Sequence, residues 1–219
     1  MNPTTDPLRR EVAAAAARLI AEEGCGYGQA KRRASRMVLG GDAGPGALPD
    51  NSEIERELRR YLGLFAAETH PPLLAALRRI AAAVMERLDA FNPHLAGAVL
   101  NGTATEHSDI ELQLYTDSAK DVEMFLLNAG VEFDAEAPDA SERPCPQERL
   151  SFLWPAHEVG LPSSLRHVGV RLSVYETNAM RIAPKQRTSE DAALGLHPVA
   201  AGGRAGLPAL RQLISDSTR

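Results

Sequence analysis

Asp109, Ile110 and Glu111 place two carboxylates two residues apart, and the segment continues Leu112, Gln113, Leu114. Side chains along a strand alternate between faces, so Asp109 and Glu111 share one face while Ile110, Leu112 and Leu114 share the other. Two like charges that close raise each other's pKa. A hard divalent cation removes the repulsion, and Mg²⁺ is typically held by one or two carboxylates together with substrate phosphates. Upstream, Leu95-Ala96-Gly97-Ala98 reads as a short strand ending in a tight turn of small residues. Gly97 has no Cβ, so a phosphate can come close to the backbone N–H groups there. Spacing alone leaves open the plainer alternative of an edge strand whose acids face solvent.

The combination is more specific than either part. Gly97, Ala98, Gly102, Ala104, Ser108, Asp109, Ile110, Glu111 and Leu112 fall in the register G-S-x-x-x-G-x-A-x-x-x-S-D-I-D-L. The stretch 95–176 thereby resembles the nucleotidyltransferase (DNA polymerase β-like) superfamily. The resemblance implies a mixed α/β (α+β) core. It also implies Asp109 and Glu111 as catalytic ligands of one or two Mg²⁺ ions, and Gly97, Ala98 and Ser108 as nucleotide-binding positions. The implied chemistry is attack of an acceptor hydroxyl on the α-phosphorus of a nucleoside triphosphate, with release of pyrophosphate. The pattern departs at two places. Ala98 stands where the family carries a serine, which removes one hydroxyl contact to phosphate. The family also sets a third carboxylate on a later strand, but the matching strand, 168–176, shows Arg171, Ser173 and Tyr175 on its polar face.

Glu176 and Glu158, each at a predicted strand end, are the candidates for the missing acid. Arg171 has two possible roles: pairing with Asp109 in the space of a metal, or gripping phosphate bidentately. His107 lies two residues before Asp109 and is either a ligand contact or an exposed side chain. Lys31, Arg32, Arg33 and Arg36 form a basic cluster that solvation and pairing with Glu22 or Glu23 explain more simply than phosphate or RNA binding. The run Ala30-Lys31-Arg32-Arg33-Ala34-Ser35-Arg36 resembles a proteobacterial group in which a similar helical region precedes such a core, a likeness that supplies no activity. The G-x-S-x-G and G-x-x-x-x-G-K-[ST] patterns are absent.

Composition sets outer limits. A chain of 219 residues with 44% hydrophobic residues can bury a substantial core. Its net charge of −5 argues against an extended nucleic-acid surface, though not against a local nucleotide pocket. Cys25 and Cys145 are the only cysteines, which excludes a disulfide framework, and no Cys/His zinc spacing occurs. The N-terminal residues lack an apolar stretch, and no apolar run reaches about 18 residues, so a cytoplasmic protein without a membrane partner is expected.

The elements that must position the acids follow from periodicity. Helices are predicted over 8–23, capped by Asp6-Pro7, and over 29–39, with Ala30, Ala34, Met37 and Val38 inward. A third helix, opened by a Ser52-x-x-Glu55 capping box, runs to 67 with Ile54, Leu58, Tyr61, Leu62 and Phe65 on one face. A fourth covers 70–90 with Leu73, Leu77, Ile80, Val84 and Leu88 inward. After Phe91-Asn92-Pro93 the core alternates: the Gly97 turn, the Asp109 strand, a helix capped by Ser118 and ended by Gly130, a strand over 131–136, and antiparallel strands over 148–158 and 167–176. Loops are predicted at 40–49 and 137–147. The chain is expected to turn irregular beyond 180, with 202–206 flexible and a last helix over 208–214. The domain reading is a helical region over 1–92, a nucleotidyltransferase-like core over 93–180 and a tail over 181–219.

Three functions follow as expectations. The first is Mg²⁺-dependent transfer of a nucleotidyl group to a hydroxyl acceptor. The second is a weakly active or inactive nucleotide-binding or regulatory protein on the same fold. The third is a helical interaction module in which the acids are incidental.

Overall fold

The structure, a computed structural model, describes residues 5–41, 48–138, 144–182 and 197–217. The predicted loops at 40–49 and 137–147 lie partly outside these residues, as does the irregular stretch beyond 180 up to residue 196. The described residues form a mixed α/β fold with eight α-helices and one six-stranded sheet. No helix among them is long and apolar enough to cross a membrane.

The chain divides into two units, Met1–Pro71 with Thr105–His107, and Pro72–Ala104 with Ser108–Arg219. The first holds α1 (Thr5–Glu23), α2 (Tyr27–Leu39) and α3 (Asn51–Phe65). Small residues let these helices approach closely: Val12, Ala13, Ala16 and Ala17 of α1 meet Ala30 and Ala34 of α2 and Ile54, Leu58 and Leu62 of α3. The α3 capping box sits two residues earlier than Ser52-x-x-Glu55. The Asp50 side chain accepts from the Glu53 N–H at 2.9 Å, and the Glu53 carboxylate accepts from the Asp50 N–H at 2.7 Å. Glu53 also receives Arg9 of α1 at 2.6 Å, an added contact that favours this box over the alternative. Met37 and Phe65, expected inward, are 69% and 73% exposed; Phe65 instead lies against Tyr61, with ring centroids 4.6 Å apart.

The second unit is built on the sheet. Its strands are β1 (His94–Ala96), β2 (Ile110–Tyr115), β3 (Asp134–Glu136), β4 (Glu148–Pro155), β5 (His167–Tyr175) and β6 (Ala205–Gly206), in the order β3-β4-β5-β2-β1-β6. β2 and β5 run parallel, and every other neighbouring pair is antiparallel. One face is the core. Ile110, Leu112 and Leu114 of β2, Val170, Leu172 and Val174 of β5, and Leu150 and Phe152 of β4 are buried in it. Against them pack Leu77, Ile80 and Val84 of α4 (His70–Arg87) with Leu88 just beyond its end, Val99 and Leu100 of α5 (Gly97–Asn101), Val122 and Leu126 of α6 (Ala119–Asn128), and, beyond the short α7 (Pro198–Ala201), Leu210 and Leu213 of α8 (Leu207–Asp216). The other face carries the alternate, polar residues, as a sheet packed on one side requires.

Two boundaries differ from the sequence reading. The division between units falls at Pro71/Pro72 and not at 92/93, because the apolar stripe of α4 belongs to the sheet's core. The segment beyond 180 is no separate tail: Ala205–Gly206, expected to be flexible, adds an edge strand opposite His94 and Leu95, and α8 closes the core.

Truncating Glu53 removes half of the capping box and the Arg9 contact together. Glu53→Ala is expected to destabilise the helical unit by about 1–2 kcal/mol, the usual range for a lost cap, read as a lowered urea midpoint in α-helical circular dichroism.

Candidate functional site

The site begins where β1 ends. Gly97 has φ +67°, a left-handed conformation that side chains rarely adopt, and it turns the chain directly into α5. That helix is only five residues long and closes at Gly102, with φ +84°, whose N–H donates to the Ala98 carbonyl at 3.0 Å. Arg78 of α4 braces it from inside the core. Its guanidinium, 7% exposed, donates from Nε to the Val99 carbonyl and from Nη2 to the Leu100 carbonyl, both at 3.1 Å. These are carbonyls that a helix end leaves without intrahelical donors. Burial lowers the Arg78 pKa to about 10, which still leaves it charged at neutral pH. A cation at the C-terminal end of a helix also meets the negative end of its dipole.

One of the two acids, Glu111, lies beside this turn. Ala96 and Glu111 are register partners across β1 and β2, and the Glu111 carboxylate lies over Gly97. A Cβ on Gly97 would stand 2.5 Å from Glu111 Oε2. Asp109, just before β2, lies over a second glycine, Gly169 of β5, where a Cβ would collide with Asp109 Oδ1. Arg171, opposite Glu111 in the parallel β2–β5 ladder, donates from Nη2 to Asp109 Oδ2 at 2.7 Å. Both partners are half-exposed, at 48% and 38% of their side-chain surfaces. Glu111 reaches water but has protein around much of its carboxylate. This desolvation pushes its pKa up, Arg171 and Arg149 pull it down, and Asp109 pushes it up again, for a net rise.

Cross-strand register extends the site along the polar face. Ala96, Glu111, Arg171, Ser151 and Asp134 form one row across five strands, and His94, Gln113, Ser173, Arg149 and Glu136 the next. Tyr115 and Tyr175 pair in a third row, with ring centroids 5.8 Å apart. Glu111, Gln113, Arg171, Ser173, Arg149 and Tyr175 line a cavity of about 490 Å³. Arg204, from the turn before β6, donates from Nη1 to the Tyr115 hydroxyl at 2.8 Å, and that hydroxyl donates to Gln113 Oε1 at 2.8 Å.

Of the residues singled out from sequence, Gly97, Asp109, Glu111 and Arg171 come together. Ala98 is half-buried in the first turn of α5 with its methyl against the core, and Ser108 is half-buried in the loop before Asp109; neither lines the cavity. Glu158 and Glu176, the candidate third acids, are elsewhere. Glu158 pairs with Arg79 at 2.8 Å and Glu176 accepts from Asn178 at 3.1 Å. His107 belongs to the helical unit, its ring close to Gly24. Arg33 of the basic cluster pairs with Glu23. Gln113, Arg149 and Glu136 were missed, and Ser173 and Tyr175 were placed on the polar face of their strand without a role, because strand register was not readable. Gly169 did carry a signal, since an isolated glycine inside a strand marks a close approach. Among the described residues no three His, Cys, Asp or Glu side chains converge in metal-binding geometry, so protein ligation of a cation at this site would rest on Asp109 and Glu111. No family model, curated protein or solved structure matches the chain.

Two outcomes test this geometry. Gly97→Ala must accept a left-handed alanine and displace Glu111, so it should lose at least about 1 kcal/mol of stability, measured by urea unfolding. The folded state also holds the Glu111 proton more tightly than the unfolded chain does. Stability at this residue is therefore greatest below the ordinary carboxylate pKa and falls as pH rises through the window up to the raised value. Glu111→Gln should raise Tm at about pH 7.5 and lose that advantage as pH falls below about 4. A Tm difference that is flat with pH would remove the desolvated acid from the account.

Proposed function

We propose that the polar hollow binds a nucleoside triphosphate on a nucleotidyltransferase-like core, and that nucleotidyl transfer there is weak or absent. The observation that carries this reading is the Arg171–Asp109 ion pair. On the strand beside the acid pair, where a third carboxylate would complete a catalytic set, the chain presents a guanidinium that already neutralises one acid. A guanidinium matches phosphate geometry and binds it without a metal. Ala98 in place of a hydroxyl points the same way, because backbone donors near Gly97 can still hold phosphate while one side-chain contact is gone.

A second reading, Mg²⁺-dependent transfer of a nucleotidyl group to a hydroxyl acceptor, is favoured by a separate observation. Glu111 lines the hollow, Asp109 is near enough to act on it and is paired with the lining Arg171, and that ion pair is half-exposed. Exposed pairs are worth about 0–1 kcal/mol, so Arg171 can swing aside at small cost. Two carboxylates fit Mg²⁺ when phosphates complete its shell, and the ion would lower the pKa of the acceptor hydroxyl. Under this reading Asp109 and Glu111 hold the cation, Arg171 moves onto phosphate, and Gly97 leaves room for the Glu111 carboxylate.

Thermal shift with ATP, GTP, CTP and UTP, with and without Mg²⁺, tests both. A ligand at a hundred times its Kd stabilises by about 2.7 kcal/mol, a shift of several degrees. If no nucleotide moves Tm, both readings fail. What would remain is the interaction-module reading, to which the exposed Leu64 and Phe65 of α3 belong. Release of pyrophosphate, or label transfer from an α-labelled nucleotide, separates the first reading from the second. Arg171→Met sharpens the contrast. The binding reading expects nucleotide affinity to fall about tenfold, the loss of one charge-assisted contact. The transfer reading expects Mg²⁺ affinity to rise, because Asp109 is released, while turnover falls with the lost phosphate contact.

A further inference from the structure

Gln113 is positioned in a way that the acid pair does not require. Its side chain lines the cavity one row beyond Glu111. Its Oε1 is engaged by the Tyr115 hydroxyl at 2.8 Å, and that hydroxyl is itself held by Arg204 at 2.8 Å. Arg204 also lies over the Tyr115 ring, 5.4 Å from its centroid, and Tyr115 is 3% exposed. This relay fixes the amide: the carbonyl end is occupied, so the NH₂ end is left toward the cavity. That nitrogen has no hydrogen-bond partner among the described residues. Ser173, the register neighbour of Gln113 on β5, likewise brings an unpartnered hydroxyl to the same cavity. One row further, Tyr175 is half-buried and stacked on Tyr115, with an interplanar angle of 25°.

We infer that Gln113 and Ser173 bind the ribose hydroxyls of the nucleotide and that Tyr175 supports its base. This inference rests on the nucleotide reading of the site and says how the nucleoside half is recognised. Rows on one sheet face are two residues apart, about 6.6 Å along the strand, so the three rows span about 13 Å. That order matches phosphate, sugar and base laid along β2 and β5, with the phosphates at the Gly97–Arg171 end. A sugar hydroxyl both donates and accepts, which suits an amide NH₂ beside a rotatable hydroxyl. The aromatic face suits any base, because stacking is tolerant of sequence. Arg204 and Tyr115 are positioning residues: they touch no ligand and act by holding the Gln113 amide.

Isothermal titration of the full chain tests this, with inorganic tripolyphosphate, whichever of ATP, GTP, CTP and UTP binds best, and the 2′,3′-dideoxy form of that nucleotide. The nucleotide should bind at least tenfold more tightly than tripolyphosphate. Gln113→Leu should remove about five- to tenfold of nucleotide affinity while leaving tripolyphosphate unchanged. The dideoxy nucleotide should already lack that contribution, so Gln113→Leu should not weaken it further. Tyr115→Phe, which cuts the relay and keeps the ring, should reproduce part of the loss with the same indifference to the dideoxy form. If nucleotide and tripolyphosphate bind equally, or the excess survives Gln113→Leu and Tyr175→Ala, the inference is overturned while phosphate binding stands. A Gln113→Leu protein that loses tripolyphosphate equally would also overturn it. If neither ligand binds, the nucleotide reading has failed and this inference fails with it.

Discussion

Two carboxylates close enough to raise one another's proton affinity repel each other, and the architecture around Asp109 and Glu111 is arranged about that repulsion. Each acid lies over a residue that has no Cβ, Glu111 over Gly97 and Asp109 over Gly169. Larger residues at either place would displace the carboxylates. Arg171 then supplies the opposite charge from the neighbouring strand. The rise in the Glu111 pKa shows that the compensation is incomplete: desolvation and Asp109 together outweigh the two arginines. A fold selected for stability alone has little reason to keep such a carboxylate, whereas binding sites commonly hold groups in environments that oppose their charge.

That tension is affordable because the opposite face of the sheet is a continuous hydrophobic layer. β5 alternates between buried and accessible residues along its whole length, and its inward residues Val168, Val170, Leu172 and Val174 are all at most 3% exposed. A one-residue slip of β2 against β5 would drive Glu111 and Gln113 into the core, so the apolar face fixes the register that brings the polar face together. Arg78 does comparable service at α5. A five-residue helix has little stability of its own, and the buried guanidinium ties its last carbonyls to α4. The Gly97 turn is thereby anchored from behind, leaving its front free for Glu111.

What could be read from the chain alone follows the range of the interactions involved. β2, the antiparallel β4 and β5, and the inward stripe of α4 rest on local periodicity and were legible. So was the meeting of Gly97 with Glu111, because a short connection brings β2 back beside β1. The polar rows were not legible: Gln113 meets Ser173, and Ser173 meets Arg149, only through strand register across separations no local pattern encodes. The capping box was misplaced because Asp50-x-x-Glu53 and Ser52-x-x-Glu55 are locally equivalent, and the choice is made by Arg9, more than forty residues away in sequence. β6 escaped because two residues carry no periodicity, and it exists only through β1.

The exchange of a third acid for Arg171 has a definite chemical meaning under the proposed reading. A guanidinium and a divalent cation both attract phosphate, but they differ in what else they do. The guanidinium is a permanent single charge with donors and no open coordination position, so it can orient phosphate oxygens yet cannot bind and acidify a hydroxyl. It also competes with a cation for Asp109. The expected consequence is a site that keeps affinity for the phosphate chain and loses the means to activate an acceptor. The remaining polar face, with Gln113 held by Tyr115 and Arg204, would then serve discrimination among ligands and not turnover. That division accounts for a hollow in which Gln113 is held by hydrogen bonds while the neighbouring Asp109 is already paired with Arg171.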